Sequence, residues 1–292
     1  MSVHSAPSEN APQKPLTTFD IIAAKGKRRL SMLTAYDFSI TALAEQAGID
    51  MILVGDSLGM VMLGRKDTVS VTLDEMILHA RSVALSAKRS LVVCDMPFMT
   101  YETGVRDALE NAARLCRESG VRAVKLEGGH EIVPQIRALV QSGIPVCGHI
   151  GLTPQRAAVL GGFKVQAKSA QSAYNLVQDA IALEEAGCFC MVLEAVPAPI
   201  AQRITERVSV PTIGIGAGPH CDGQVLVYHD MLGLYGAFVP KFAKQYAQIG
   251  EAVREAFRQY AAEVADGSFP GPEHSFTIKD EELAELDKML KR

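Results

Sequence analysis

The sequence predicts an α/β protein, a (β/α)₈ TIM barrel. Eight short strand-like runs recur along the chain, and helical patterns lie between most of them. Several runs are apolar throughout instead of alternating, as in strands covered on both faces. A chain of 292 residues that is 48% hydrophobic suits such a barrel, which takes roughly 250 residues. A doubly wound open sheet shares the alternation and stands second.

The strand runs, in order, are LSMLTAYD (30–37), MILVGD (51–56), LVVCD (91–95), VRAVKLE (121–127), IPVCGH (144–149), CFCMVLE (188–194), VPTIGIGAG (210–218) and YGAFVPKF (235–242). Between them, DALENAARLCRESG sets Leu109, Ala112, Ala113 and Cys116 on one stripe and stops at Gly120. SAYNLVQDAIALEEAG sets Tyr174, Val177, Ala180, Ile181 and Leu183 on one side and stops at Gly187. AQIGEAVREAFRQYAAEVADG after the eighth run is a further amphipathic helix. DGSFPGPEHSF then reads as a loop, and KDEELAELDKMLKR as a closing helix with Leu283, Leu286 and Leu290 on one stripe. The expected organisation is a disordered tail over 1–16, a barrel over 17–276 and a C-terminal amphipathic helix over 277–292.

Composition excludes several classes of function. A net charge of -4 gives no footprint for nucleic acid or an anionic membrane. The longest apolar stretch, Cys188 to Ala201, is broken by Glu194, Pro197 and Pro199 before it reaches the roughly 18 residues of a span. MSVHSAPSENAPQKP lacks both a signal core and the arginines of a transit peptide, so the expected location is cytoplasmic. The six cysteines form no CxxC pair and read as reduced, buried thiols.

Polar residues at the ends of these runs point to chemistry. Asp56, Asp95, His149 and Glu194 each end one, and Lys125 and Glu127 end another. Parallel barrels carry their active sites at the C-terminal ends of the strands. Lys125 and Glu127 are two apart, so they share a face. Each residue alone admits a plainer role: a cap at Asp56, a turn at Asp95, a structural salt bridge between Lys125 and Glu127, a core histidine at His149. Five runs ending alike weaken that account. Four carboxylates against one lysine need more positive charge, and an all-oxygen set selects a hard divalent ion: Mg²⁺, with Mn²⁺ or Co²⁺ as alternatives. The glycine run GIGAG (214–218) is G-x-G-x-G, not the dinucleotide fingerprint, and reads as a place of close backbone approach.

Taken together, VGDSLGM, DMPF, VKLEGG, CGHIGLTPQ, VLEAVP, IGIGAG with DGQ after it, and VPKF resemble the ketopantoate hydroxymethyltransferase family. The likeness runs in order from near residue 30 to Phe276. It implies a (β/α)₈ barrel enzyme that uses a divalent metal and 5,10-methylenetetrahydrofolate. Such an enzyme moves a hydroxymethyl group onto 3-methyl-2-oxobutanoate through a metal-stabilised enolate, giving 2-dehydropantoate for pantothenate biosynthesis. It also implies self-association, commonly as a homodecamer of two pentameric rings. Carried over by motif, Asp56 resembles a metal ligand that meets the substrate, and Ser57 a substrate contact. Asp95 resembles a second metal and substrate group, Lys125 the substrate-binding lysine and Glu127 the third metal carboxylate. Glu194 resembles the proton-accepting base, and His149 a neighbour in the substrate site. Met96, Leu126 and Ala195 are mild departures inside the motifs, and none is a proposed ligand.

Three rivals remain at this stage. One is a Mg²⁺-dependent oxo-acid lyase or mutase of the phosphoenolpyruvate-mutase and isocitrate-lyase type. Another is a Schiff-base aldolase using Lys125. The third is a non-catalytic metabolite-binding barrel.

Overall fold

The computed structural model describes residues 14–236 and 239–291. The chain begins with α1 (Thr18–Ala24), β1 (Leu30–Thr34), α2 (Phe38–Gln46), β2 (Met51–Val54) and the single-turn α3 (Leu58–Val61). Helix α4 (Leu73–Ser86) leads to β3 (Leu91–Asp95), α5 (Val105–Ser119) to β4 (Ala123–Glu127), and α6 (Val133–Gln141) to β5 (Val146–Gly151). Short α7 (Ala157–Leu160) and long α8 (Ala170–Glu185) precede β6 (Cys190–Glu194), and α9 (Ala198–Arg207) precedes β7 (Thr212–Ile215). Strand β8 (Gly223–Val227) runs straight into α10 (Tyr228–Met231). Helices α11 (Ile249–Asp266) and α12 (Asp280–Leu290) end the chain.

The eight strands close a parallel barrel in sequence order, β1 pairing with both β2 and β8. The expected fold class is therefore the observed one. The expected eighth strand is not. It lies at Gly223–Val227, and no described residue of 235–242 is in a strand. GQVLV starts on Gly223, whose Cβ would lie 2.6 Å from the Leu30 carbonyl, and its Gln224 is exposed, so the strand lacks an apolar signature. YGAFVPKF is apolar for another reason: Tyr235, Pro240, Lys241 and Phe242 wall a cavity, while residues 237 and 238 lie outside the described residues.

Inside the barrel, Met32, Met51, Leu53, Leu91, Val93, Ala123, Phe189, Val192, Ile213 and Val225 form one cluster, joined by Ile21 and Ala24 of α1. Each large side chain removed from water in this way contributes about 1.5–3 kcal/mol. Most of the expected tail is outside the described residues, but Leu16 packs on the cluster, and its N–H donates to the Arg89 carbonyl at 2.7 Å. The outer helices start and stop where their caps dictate. Thr17 and Thr72 form capping boxes with Asp20 and Glu75, and Gly120 ends α5 with φ 84. The buried stripes overlap those expected only in part. Ala112 on α5 and Ala180 and Leu183 on α8 are buried as expected, but they are joined by Ala108, Leu115 and Leu176 rather than Leu109, Cys116 and Val177, and Tyr174 is exposed. Short outer helices carry enough apolar residues on flanking positions that periodicity alone does not fix their rotation.

Residues 245–291 with 232–234 form a second compact unit, separate from the barrel unit of 14–231 and 235–244. Within it α11 carries the expected amphipathic stripe of Val253, Phe257, Tyr260 and Val264, and no residue of α11 or α12 is buried. Tyr260 meets Phe269 edge-on at 5.7 Å, and Phe269 lies 5.1 Å from the His274 ring. All six cysteines are free. No helix among the described residues is long and apolar enough to cross a membrane.

Candidate active site

Strand β2 ends at Val54, and the chain then turns abruptly. Gly59 N–H donates to the Asp56 carbonyl at 2.9 Å, starting α3. Gly55 leaves room at the turn: a Cβ there would stand 2.8 Å from Ser57 Oγ and 3.0 Å from Thr34 Cγ2 and would push on both side chains. Asp56 is thereby buried at the barrel mouth, its N–H donating to Asp95 Oδ2 at 3.1 Å. A burial-built strand delivers a carboxylate and a hydroxyl because the chain reaches its end at the mouth and must turn there.

Strand register brings in the rest. Asp95 on β3 pairs with Lys125 on β4, Glu127 with His149 on β5, and Gly151 with Glu194 on β6. Lys125 Nζ lies 3.1 Å from Asp95 Oδ1, 3.6 Å from Glu127 Oε1 and 2.9 Å from His149 Nδ1. His149 Nδ1 is 3.4 Å from Glu127 Oε1, and its Nε2 is 3.3 Å from Glu194 Oε2. Glu194 is held by its neighbours: its carbonyl accepts from Leu152 N–H at 2.8 Å, and Ala195 adopts a left-handed φ of 49. A Cβ on Gly151, with φ 96, would stand 2.3 Å from the Glu194 carbonyl, so only glycine fits beside it.

Asp56, Ser57, Asp95, Lys125, Glu127, His149 and Glu194 all line one cavity of about 400 Å³. The structure thus gathers every residue singled out in the sequence. A cavity of about 490 Å³ beside the glycine run has, among the described residues, Arg29 as its one charged lining group and no acid, so the chemistry belongs to the first. The run GIGAG behaves as expected of close approach: a Cβ on Gly216 would meet the Phe242 ring at 2.8 Å, and one on Gly218 would meet Ala198 Cβ at 2.4 Å.

Three partners of these residues were not singled out. Gln155 donates through Nε2 to Asp56 Oδ2 at 2.8 Å and to the Met96 carbonyl at 3.0 Å, while its backbone N–H donates to Glu127 Oε2 at 3.0 Å. The Tyr101 hydroxyl lies 2.7 Å from Gln155 Oε1 and accepts from Glu127 N–H at 3.1 Å. The Tyr36 hydroxyl lies 2.8 Å from Ser57 Oγ. Gln155 had a signal, since it is the last letter of CGHIGLTPQ.

The electrostatics are lopsided. At the strand tips four carboxylates, Asp56, Asp95, Glu127 and Glu194, stand with one ammonium, Lys125; the wider cavity lining adds Asp230, Lys164 and Lys241, a formal balance of −5 + 3 = −2. Burial, then Asp95 and Glu127, push the Asp56 carboxyl well above the ordinary range. Burial also raises Asp95, against the pull of Lys125. Burial acts to raise Glu127 too, but Lys125 and His149 outweigh it and hold that carboxyl low. Burial disfavours the Lys125 charge, yet Asp95, Glu127 and Asp56 outweigh it and raise its pKa. On His149, burial and Lys125 oppose a second proton while Glu127 and Glu194 favour it, and the balance is pushed up to about 9. The contact with Lys125 says otherwise. An ammonium only donates, so Nδ1 must accept. We assign the neutral ring with its proton on Nε2, facing Glu194, because an imidazolium would set a second cation against Lys125.

Asp95 Oδ1 is buried and makes no hydrogen bond, its cationic neighbour being Lys125. Among the described residues, no group of three His, Cys, Asp or Glu side chains is arranged to enclose a metal ion unaided. A cation here would need water or substrate to complete its shell, which is the habit of Mg²⁺.

The profile of the family described as ketopantoate hydroxymethyltransferase matches residues 15–272. The 3-methyl-2-oxobutanoate hydroxymethyltransferase of Nitratidesulfovibrio vulgaris (strain DP4) is 60% identical over 297 residues, covering 99% of this chain and 97% of its own. The protein of the same name from Oleidesulfovibrio alaskensis is 60% identical over 276 residues, covering 94% and 95%. Among solved structures, phosphonopyruvate hydrolase complexed with oxalate and Mg²⁺ is similar at TM-score 0.59 and 13% identity, over 94% of this chain and 96% of that one. The 2,3-dimethylmalate lyase of the PEP mutase/isocitrate lyase superfamily gives TM-score 0.57 and 17% identity, over 95% and 98%. At such identities these two share the fold alone, whereas the closely identical relatives carry the name. The chain belongs to the ketopantoate hydroxymethyltransferase family.

Proposed function

We propose that this chain transfers a hydroxymethyl group from 5,10-methylenetetrahydrofolate to 3-methyl-2-oxobutanoate, forming 2-dehydropantoate. The observation that carries the reading is one buried cavity with Lys125 among carboxylates at its floor and Glu194 on its wall. Lys125 is a compact cation suited to the keto acid's carboxylate, and Ser57, steadied by Tyr36, offers a further hydrogen bond. Glu194 accepts the C3 proton, which the neighbouring ketone acidifies. The resulting carbon nucleophile bonds to the one-carbon unit, and water then replaces the folate nitrogen on that carbon, so the hydroxyl oxygen comes from water and tetrahydrofolate departs. His149, with Nε2 3.3 Å from Glu194 and Nδ1 accepting from Lys125, stands between the base and the anchor. Phe163, Tyr235 and Phe242 give the cavity aromatic surface on which a flat heteroaromatic cosubstrate can lie.

The donor set fits a hard divalent cation: only carboxylate oxygens carry the excess charge, and Asp95 Oδ1 lacks a hydrogen bond. Asp56 and Asp95, with Glu127 behind them, would hold Mg²⁺, or Mn²⁺ or Co²⁺, which supplies Lewis acidity to the keto oxygen. The lyase and mutase reading shares the barrel but not the close identity, and the aldolase reading sits badly with a lysine held charged by three acids.

The test is direct. Purified protein given 3-methyl-2-oxobutanoate, methylenetetrahydrofolate and Mg²⁺ is expected to yield the mass of 2-dehydropantoate, with loss of product in EDTA. Folded protein that binds the keto acid and makes no product would reject the reading in favour of a binding barrel.

We also infer self-association, with a homodecamer of two pentameric rings as the expected form. Phe38, Leu43, Leu78 and Leu85 on α2 and α4 are exposed, as is the apolar stripe of α11. Exposed apolar side chains grouped on two packed helices, α2 and α4, mark an interface. Sedimentation should give ten times the 31.4 kDa chain mass; a monomer would refute association, and another multiple the decamer.

A further inference from the structure

Gln155 does not line the cavity, and neither does Tyr101, yet both touch residues that do. The side-chain amide of Gln155 is fully engaged. Its NH₂ faces two groups that can only accept, the Asp56 carboxylate and the Met96 carbonyl. Its oxygen faces the Tyr101 hydroxyl at 2.7 Å; the one hydroxyl proton has the Glu127 carbonyl at 3.1 Å as its other acceptor, and the shorter contact is to Gln155. A flipped amide would set its oxygen against two acceptors, so Asp56 and Met96 fix which way the amide points, and the Tyr101 hydroxyl holds it there. The tyrosine is fixed in turn, because it accepts from Glu127 N–H. Gln155 N–H also occupies Glu127 Oε2. One loop residue after β5 thereby ties Asp56 beyond β2 to Glu127 on β4. It fills one oxygen of each carboxylate and leaves the other for a ligand or for Lys125.

We propose that Tyr101 and Gln155 are a positioning pair that sets the rotation of the Asp56 carboxylate, and so the site's affinity for a divalent cation, without touching cation or substrate. This rests on the cation assignment made above. Two side chains that merely fill space would act on stability alone. A positioning pair acts on cation affinity, with Tyr101 steadying Gln155 through its hydroxyl and Glu127 through the N–H it accepts.

The experiment uses the full chain with Mg²⁺ alone, titrated by calorimetry, for wild type, Tyr101→Phe, Gln155→Met and the double variant. Gln155→Met is expected to weaken Mg²⁺ binding about tenfold, the loss typical when an outer partner of a ligand is removed. Tyr101→Phe should weaken it by several-fold, and the double variant by less than the product of the two single losses, because part of the tyrosine's effect passes through Gln155. The same order should appear in kcat, with a smaller change in KM for the keto acid. Binding by both single variants within about twofold of wild type would overturn the proposal, as would losses that multiply in the double variant. Should Gln155→Met fail to fold, Tyr101→Phe decides, since it removes one oxygen and no volume. If wild type binds Mg²⁺ with this pattern but makes no product, the proposed function falls and the pair stands. If it makes product and the variants bind normally, the reverse holds. Wild type that binds no Mg²⁺ removes both the pair and the cation assignment.

Discussion

Glu194→Gln is expected to slow exchange of the C3 hydrogen of 3-methyl-2-oxobutanoate with deuterated water by about 10²–10⁴-fold, the usual contribution of a positioned general base. That corresponds to about 3–5 kcal/mol of barrier. Glutamine keeps the length and shape of the side chain and removes only the basic oxygen. The fold should barely register the change. The backbone of this residue is fixed independently, by Leu152 N–H on its carbonyl and by the strained Ala195 after it, and the side chain is 16% exposed. A non-glycine residue at φ 49 costs of order 1–3 kcal/mol, and such strain persists where the surroundings hold it, often beside a reacting group. His149 stays placed by Lys125 at Nδ1, a contact the substitution does not touch. Exchange followed by proton NMR isolates the proton-removal step from folate chemistry. Unchanged exchange in a folded variant would take the base role from Glu194.

The barrel was legible because the strands between Met51 and Glu194 are buried on both faces and end in polar tips, a pattern that survives without neighbours in view. Strand β8 was not, because the tight packing of Gly223 against Leu30 needs the absence of a side chain rather than an apolar one. An apolar run 12 residues later took its place in the reading, and that run's hydrophobicity serves the cavity. At the site, strand spacing alone set Lys125 and Glu127 on one face, and barrel closure did the rest. Tyr101 and Gln155 sit in irregular segments with no period, so their meeting at 2.7 Å is a property of the closed barrel and has no local signature. Tyr36 was inside a run read as strand, but β1 stops at Thr34, and Asp37 caps α2 through bonds of 2.9 Å to Ser39 and Ile40 N–H. The count of acids against lysines did foretell the imbalance, since it depends only on which residues reach the strand tips.

Lys125→Met is expected to cost the fold about 3–5 kcal/mol near neutral pH, the penalty for leaving buried charges without their partner. Methionine keeps an unbranched stem of similar bulk, so cavity formation contributes little. What is lost is the ammonium 3.1 Å from Asp95 and 3.6 Å from Glu127, together with the donor to His149 Nδ1. The sign with pH distinguishes this cause from damaged packing. Burial works to raise Glu127, and Lys125 leads the influences that hold it low instead, so without the ammonium its pKa must climb; Asp95, already raised by burial, must climb further. Carboxyls whose folded pKa exceeds the unfolded value keep their stability contribution below the unfolded pKa and lose it as pH rises through the folded one. The deficit against wild type should therefore be widest near pH 8 and shrink toward about pH 5, as urea midpoints at the two values would record. A packing defect would give the same deficit at both. The variant should also lose keto acid affinity while still binding Mg²⁺ at least as well as wild type, because the carboxylates would no longer share their charge with an ammonium. A deficit independent of pH, or Mg²⁺ affinity lost together with the lysine, would mean that Lys125 supports the site by packing and not as its balancing cation.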